Sequence, residues 1–411
     1  MNFKRLFIGN MLIILLVCMC LSTVCAADNT TGISDNLATI NSVDMSGVIG
    51  DAGNGNSFAD LQKEIGNTGE NGTLNLDKDY TWTSSDSKDP IIINKSITVN
   101  GNGHIIDAKK QTSIFKIDGS ANVVLKNIDF INANSSDDEN GGAVYFDGNG
   151  SVVNCNFMNC SSSEYGGAVY FNGDGSISNC SFVDCSSKYY GGAVCFYEDG
   201  YISNCSFVDC SSVGDCGGAV YFYEEGAAVN CSFVKCDAYS EGGVIYFNND
   251  GGSVVNCSFV DCGSKYYGGA VRMYEGSVIN CSFLNCSVIS DDGGAVYMYG
   301  GSVVNCSFVG CSAGDDAGAV YFDGDGSIVN CTFNSNSANK ANSIYNDGNL
   351  TLINNTIVNS KNRNNEIYNY GVINNLIVKF LDNQTVIVDN NPILSVVVIE
   401  ISLLEVLLTL K

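Results

Sequence analysis

Fifteen cysteines recur in two series. The first is Cys155, Cys180, Cys205, Cys231, Cys257, Cys281, Cys306 and Cys331. The second follows five residues behind: Cys160, Cys185, Cys210, Cys236, Cys262, Cys286 and Cys311. Three chemistries fit such series: thiolates holding a metal, disulfides, or thiols packed as small apolar side chains. The paired spacing C-x4-C is not a zinc-knuckle pattern, and the chain has a single histidine, His104. No metal site and no cofactor are therefore expected.

A second series belongs to aromatic chemistry. Tyr145, Tyr170, Tyr221, Tyr246, Tyr297 and Tyr321 hold the fifth position of a recurring "GGAVYF", and Cys195 and Arg272 replace them in two copies. Exposed tyrosine rows stack on sugar rings or bury against a partner. The competing reading is a ladder that stiffens one sheet face. Further tyrosines, Tyr165, Tyr189, Tyr190, Tyr266 and Tyr267, precede the glycines.

Catalysis has less support. Acids lie in the turns between strands (Asp174, Glu198, Asp199, Glu224, Glu225, Glu275, Asp323, Asp325), not in one cluster. A polysaccharide lyase or hydrolase needs grouped carboxylates, often with calcium and an arginine base. No catalytic residue is assigned, and such an enzyme acting on acidic polysaccharide is kept as the alternative class.

Both series need a scaffold that brings one copy beside the next. The first cysteines recur every 24–26 residues. Each unit has two strand-like runs, "GGAVYF" and "SVVNCSF", separated by glycine or acidic turns, with no room for a helix of ordinary length. A unit this short cannot bury its own apolar side and must stack on its neighbours. The reading is all-β: a right-handed, single-stranded parallel β-helix of about 11–12 coils, a rod of roughly 50–60 Å with strands ~4.8 Å apart. A propeller blade would need about 40 residues.

The columns give direction. The fourth position of "GGAVYF" is always Val or Ile and the sixth Phe or Met, so both point inward. The tyrosine column tolerates Arg272 and so points outward. Phe157, Phe182, Phe207, Phe233, Phe259, Phe283, Phe308 and Phe333 form an inward stack. "NIDFINA" (127–133) and "NNTIVNS" (354–360) align with the cysteine run, and "SIFKI" (113–117) places Lys116 in the tyrosine column. Ile128 and Asn355 then share the first cysteine column, and Ala133, Asn336 and Ser360 the second. A slot that takes Cys, Ile, Ala, Asn or Ser is small and buried. In-register Cβ atoms near 4.8 Å also exceed the usual disulfide separation, which disfavours vertical bridges.

Domain organisation follows. Lys4 and Arg5, an apolar Leu6–Val17 and "TVCAAD" have the layout of a signal peptide, residues 1–27, with an uncleaved anchor as the alternative. Residues 28–56 read as a flexible segment and 57–375 as the repeat domain. Ser57 and Asp60 fit a capping box that opens a short N-terminal capping helix (57–65). Residues 376–411 are a cap or tail. Glu400 and Glu405 interrupt its apolar run, leaving a final strand pair, a poor anchor or the end of a longer reading frame. A net charge of −25 excludes nucleic acid and anionic lipid as partners. Sequons recur as "NCS" or "NCT", and those locked in the stack are expected to stay unmodified.

"GGAVYF" followed by "F-x-x-C", or "F-x-x-N" at Phe333–Asn336, resembles the GGA[ILV]/FxxN repeats of chlamydial polymorphic membrane proteins. With "IIINKSITVNGNGHIIDA" (Ile91–Ala108) ahead of it, the chain resembles adhesin-like surface proteins of methanogenic archaea. The resemblance covers about residues 57–375. It implies a surface-displayed β-helix, secreted or at the cell surface, that adheres to glycans or to surface proteins of other cells, here as a monomeric rod with membrane or wall attachment left open. Two features depart from it: cysteine stands where asparagine is usual, and the long C-terminal regions of larger relatives are missing.

Overall fold

The computed structural model describes residues 56–135, 139–358, 365–380, 388–390 and 397–401. The proposed signal peptide, residues 28–55 and residues 402–411 lie outside the described residues. The chain winds into a parallel β-solenoid of about twelve turns. Its strands form three parallel sheets of 23, 13 and 7 strands among the described residues. One coil shows the pattern: Val169–Phe171, Gly175–Ser178, Ser181–Val183 and Ser186–Ser187 each pair in register with the same segments of the next coil.

Left-handed residues make the corners. Asn179 and Asp184 have φ of 54° and 53°, and the same two positions repeat this in coil after coil, filled by Asn, Asp, Lys, Gly or Ser. Asparagine and aspartate tolerate this region best among residues with a side chain. Each corner turns the chain so that the following cysteine points inward. The doubled glycine answers two separate demands. Gly166 is left-handed (φ 64°). At Gly167 an added Cβ would lie 2.0 Å from the Gly192 carbonyl oxygen, so no side chain fits.

The interior is what the columns predict. Phe157 through Phe333 stack with centroids 4.7–5.0 Å apart. Val169, Phe171 and Phe182 are fully buried. Lys116 pairs with Tyr145, and Phe130 with Phe157, as aligned from sequence.

All 17 cysteines among the described residues are buried free thiols. Their partners explain why cysteine and asparagine exchange here. The Asn355 carboxamide accepts the Cys331 N–H at 2.9 Å and donates to the Ile328 carbonyl at 2.8 Å. One coil earlier, the Cys331 sulfur accepts the Cys306 N–H at 3.4 Å and reaches the Val303 carbonyl at 3.5 Å. Asn336 repeats the pattern in the second column, accepting from the Cys311 N–H at 2.9 Å. A thiol is thus a weaker, more apolar version of the same inter-coil bridge. Burial pushes the Cys160, Cys185 and Cys210 thiols well above the ordinary thiol range.

One end is closed by helix α1, Phe58–Asn67, which runs two residues past the expected end at Ile65. Ser57 and Asp60 form the capping box, and Phe58, Leu61 and Ile65 are buried. Gln62 covers the edge strand with a reciprocal pair: its amide donates to the Ile92 carbonyl (3.1 Å) and accepts the Ile92 N–H (2.8 Å). A side chain here takes the role of a missing strand. In the tail, Val397–Ile401 pairs parallel with Leu376–Phe380. No helix of the described residues is long and apolar enough to cross a membrane.

Candidate functional site

The outer face of the 13-stranded sheet carries the tyrosine column. Its rings lie outside the coil, as the tolerance of Arg272 indicated. They are not open to solvent, which corrects the expectation of an accessible aromatic row. Tyr170, Tyr221, Tyr246, Tyr297 and Tyr321 are only 4–8% exposed. The physical reason is a second layer. The loops before the glycines fold back over the rings: Tyr165 and Tyr190, with Tyr223 from just after its strand, pack against one half of the ladder and Tyr267 against the other. The result is a second apolar core outside the first. Periodicity shows which way a side chain points but not what a loop lays over it.

The ladder is stacked at 4.8–5.4 Å with rings within 9° of parallel. Both interruptions are repaired from neighbouring columns. Cys195 leaves a gap, and Tyr190 leans in to stack on Tyr221 at 4.5 Å. Arg272, 5% exposed, substitutes a planar cation for a ring. Its guanidinium carbon lies 4.7 Å and 4.8 Å from the Tyr246 and Tyr274 ring centres. Its Nε is 2.7 Å from the Glu241 carboxylate, and Nη1 donates to the Tyr246 hydroxyl at 2.5 Å. Burial raises the Glu241 carboxyl, against the lowering effect of Arg272.

At the N-terminal end, no ring of a second layer packs on Tyr145 among the described residues. Tyr145 is stacked on Tyr170 on one side only, is half-buried, and has its hydroxyl pushed up to about 12 by burial and by Asp147. Beside it opens a cleft of about 180 Å³ lined by Pro90, Ser113, Lys116, Glu139, Asn140 and Tyr145. Three successive coils supply these residues. The Glu139–Asn140 wall is fixed: the Ser135 and Ser162 hydroxyls both donate to the Glu139 carbonyl at 2.9 Å, and Asn140 Oδ1 accepts the Tyr165 N–H at 3.2 Å. The Lys116 amine lies 5.5 Å from the Tyr145 ring centre. The cleft therefore joins an aromatic wall, an amine, a carboxylate and an amide on rigid backbone. It is smaller than the ~300–1,000 Å³ of drug-sized sites, a scale that suits one sugar ring. Of the sequence-assigned ladder only Tyr145 reaches it. Lys116 was placed in the column from sequence, whereas Pro90, Ser113, Glu139 and Asn140 carried no signal of their own.

Other groups fall elsewhere. Tyr197 and Tyr299, just after their strands, are exposed and stack on Tyr223 and Tyr274 at 4.8 Å and 4.6 Å, a column that sequence reasoning passed over. The turn acids follow the rod's length and do not converge on the cleft. Asp292, Asp315 and Asp316 bring carboxylate oxygens within 4.8 Å of one another, with Lys340 3.5 Å from Asp316. Asp292 is pushed up to about 7 by burial and by Asp316, Asp315 and Asp291, against the lowering effect of the Asp316 N–H. His104 contacts Asp79 at 3.0 Å near the N-terminal end. The sequon asparagines are tied together: Asn256 donates to Asn230, Asn280 to Asn256 and Asn305 to Asn280, at 3.0–3.1 Å.

The coils that carry the doubled glycines and paired cysteines have a counterpart among known families. Residues 142–314 match the family model described as "Right handed beta helix region". With the coil topology this defines the chain as a right-handed parallel β-helix. No curated protein and no solved structure matches it.

Proposed function

We propose that this protein is an extracellular, adhesin-like, non-catalytic scaffold that binds a glycan at the N-terminal end of its tyrosine ladder. One observation carries the reading: the aromatic column is sealed from Tyr170 to Tyr345, and at its N-terminal end Tyr145 stands half-buried beside a cleft that combines a ring with polar groups. Sugar recognition needs that combination, an apolar wall for the ring's C–H face and polar groups for its hydroxyls. The sealed rungs hold the open one rigid, which reduces the ordering cost of binding.

The test is a glycan array probed with residues 28–401 and with Tyr145→Ala, whose folding is checked by circular dichroism. Binding lost in the folded variant supports the cleft. Binding that survives moves the site elsewhere on the rod. Shortening of acidic polysaccharide chains on incubation would replace the scaffold reading with the enzymatic one.

A further inference from the structure

Three cations touch the tyrosine ladder, and two of them are neutralised from within. Arg272 has Glu241 at 2.7 Å, and Lys340, over Tyr345 and Tyr368 at 4.6 Å and 4.4 Å, has Asp316 at 3.5 Å. The third, Lys116, is exposed, lines the cleft and makes no ion pair among the described residues. Its neighbours in the two adjoining coils of that column are Ile92 and Tyr145, neither of which supplies a counter-charge. An amine with no ion pair among the described residues, in a cleft whose other charged lining residue is Glu139, stands out on a chain with 44 acids against 19 Lys and Arg.

We infer that the cleft selects an acidic sugar, one terminal residue whose carboxylate pairs with Lys116 while its ring lies against Tyr145 and Pro90. This rests on the glycan reading above. The ligand carboxylate takes the place that Glu241 and Asp316 hold for the other two cations. Asn140 contributes the donors of its amide nitrogen, its oxygen already being engaged by Tyr165 N–H. Glu139 accepts from ring hydroxyls. Its carboxylate repels a second acidic group on the same ring, so a singly charged sugar is favoured over a sulfated, multiply charged one. The cleft's size favours a chain end over an internal stretch.

The experiment is titration calorimetry with two sets of methyl glycosides: glucuronate, galacturonate and N-acetylneuraminate against glucose, galactose and N-acetylglucosamine. At least one acidic member binds wild type about tenfold tighter than every neutral one, as a charge-assisted contact supplies. The preference shrinks as salt is raised. Lys116→Met removes it and leaves the melting temperature unchanged, whereas Lys116→Arg keeps it. Equal affinity for acidic and neutral sugars, or an acid preference that survives Lys116→Met, overturns this inference and leaves the glycan reading standing. Failure of wild type to bind any of the six overturns both.

Discussion

Arg272 and Lys116 occupy the same column of the same sheet, yet one is sealed and the other is open. Around Arg272 the loop of the coil before supplies Glu241, and Tyr274 and Tyr299 flank the guanidinium. Around Lys116 the loops supply Pro90, Ser113 and the Glu139–Asn140 wall, and a cleft remains. The strand positions are equivalent, so the difference lies in the loops. The β-helix fixes where a side chain emerges, and the loop decides whether it becomes core or site.

The largest effect tests the sealing itself. Tyr221→Ala removes a 4%-exposed ring from the middle of the ladder and should cost about 3–4 kcal/mol, whereas Tyr145→Ala, at the open end, should cost about 1 kcal/mol. Urea unfolding of both measures the gap, and equal losses would mean the outer layer is not a core. Next comes the ion pair. Glu241→Gln leaves the guanidinium buried without its counter-charge, a loss of about 2–3 kcal/mol. Adding Arg272→Tyr to that variant should recover most of it by restoring a continuous ladder. A double variant no more stable than the single one would show that the ladder carries little energy there.

The smallest effect concerns the opposite imbalance, acids without enough cation. Asp292 is raised from 3.8 to about 7. The folded state therefore holds its proton more tightly than the unfolded chain. Stability is greatest below pH 4 with respect to this group, declines as pH rises from about 4 through 7, and is level above. The partly exposed carboxyl limits the change to about 1 kcal/mol. Asp292→Asn should flatten this slope and be the more stable protein at pH 8. Parallel pH profiles for wild type and variant would remove Asp292 as the cause.

Much of this was legible in the residues. The 24–26-residue period, the inward Val and Phe columns and the placement of Lys116 over the coil all follow from side-chain alternation and repeat spacing, which are local properties. The column shared by Cys, Ile and Asn announced a small buried slot but not the N–H and carbonyl that meet there, because those belong to the neighbouring coils. The sealed state of Tyr170, Tyr221 and Tyr246 was illegible for a related reason. It depends on loop residues one coil away folding back, and no period encodes that. The cleft is further still from sequence, since Pro90, Ser113 and Glu139 become neighbours only when three coils stack.

The inter-coil bridge at the cysteine corners has a consequence for how such a chain changes length. Down the first cysteine column a corner group accepts from the coil before it and reaches a carbonyl there, so successive coils present the same N–H to the next and receive a sulfur or amide from it. At these corners a duplicated or deleted coil therefore leaves no mismatch: both new neighbours already carry the complementary groups. Length is free to drift by whole turns, while Tyr145 and its cleft, tied to the capped N-terminal end, keep their place.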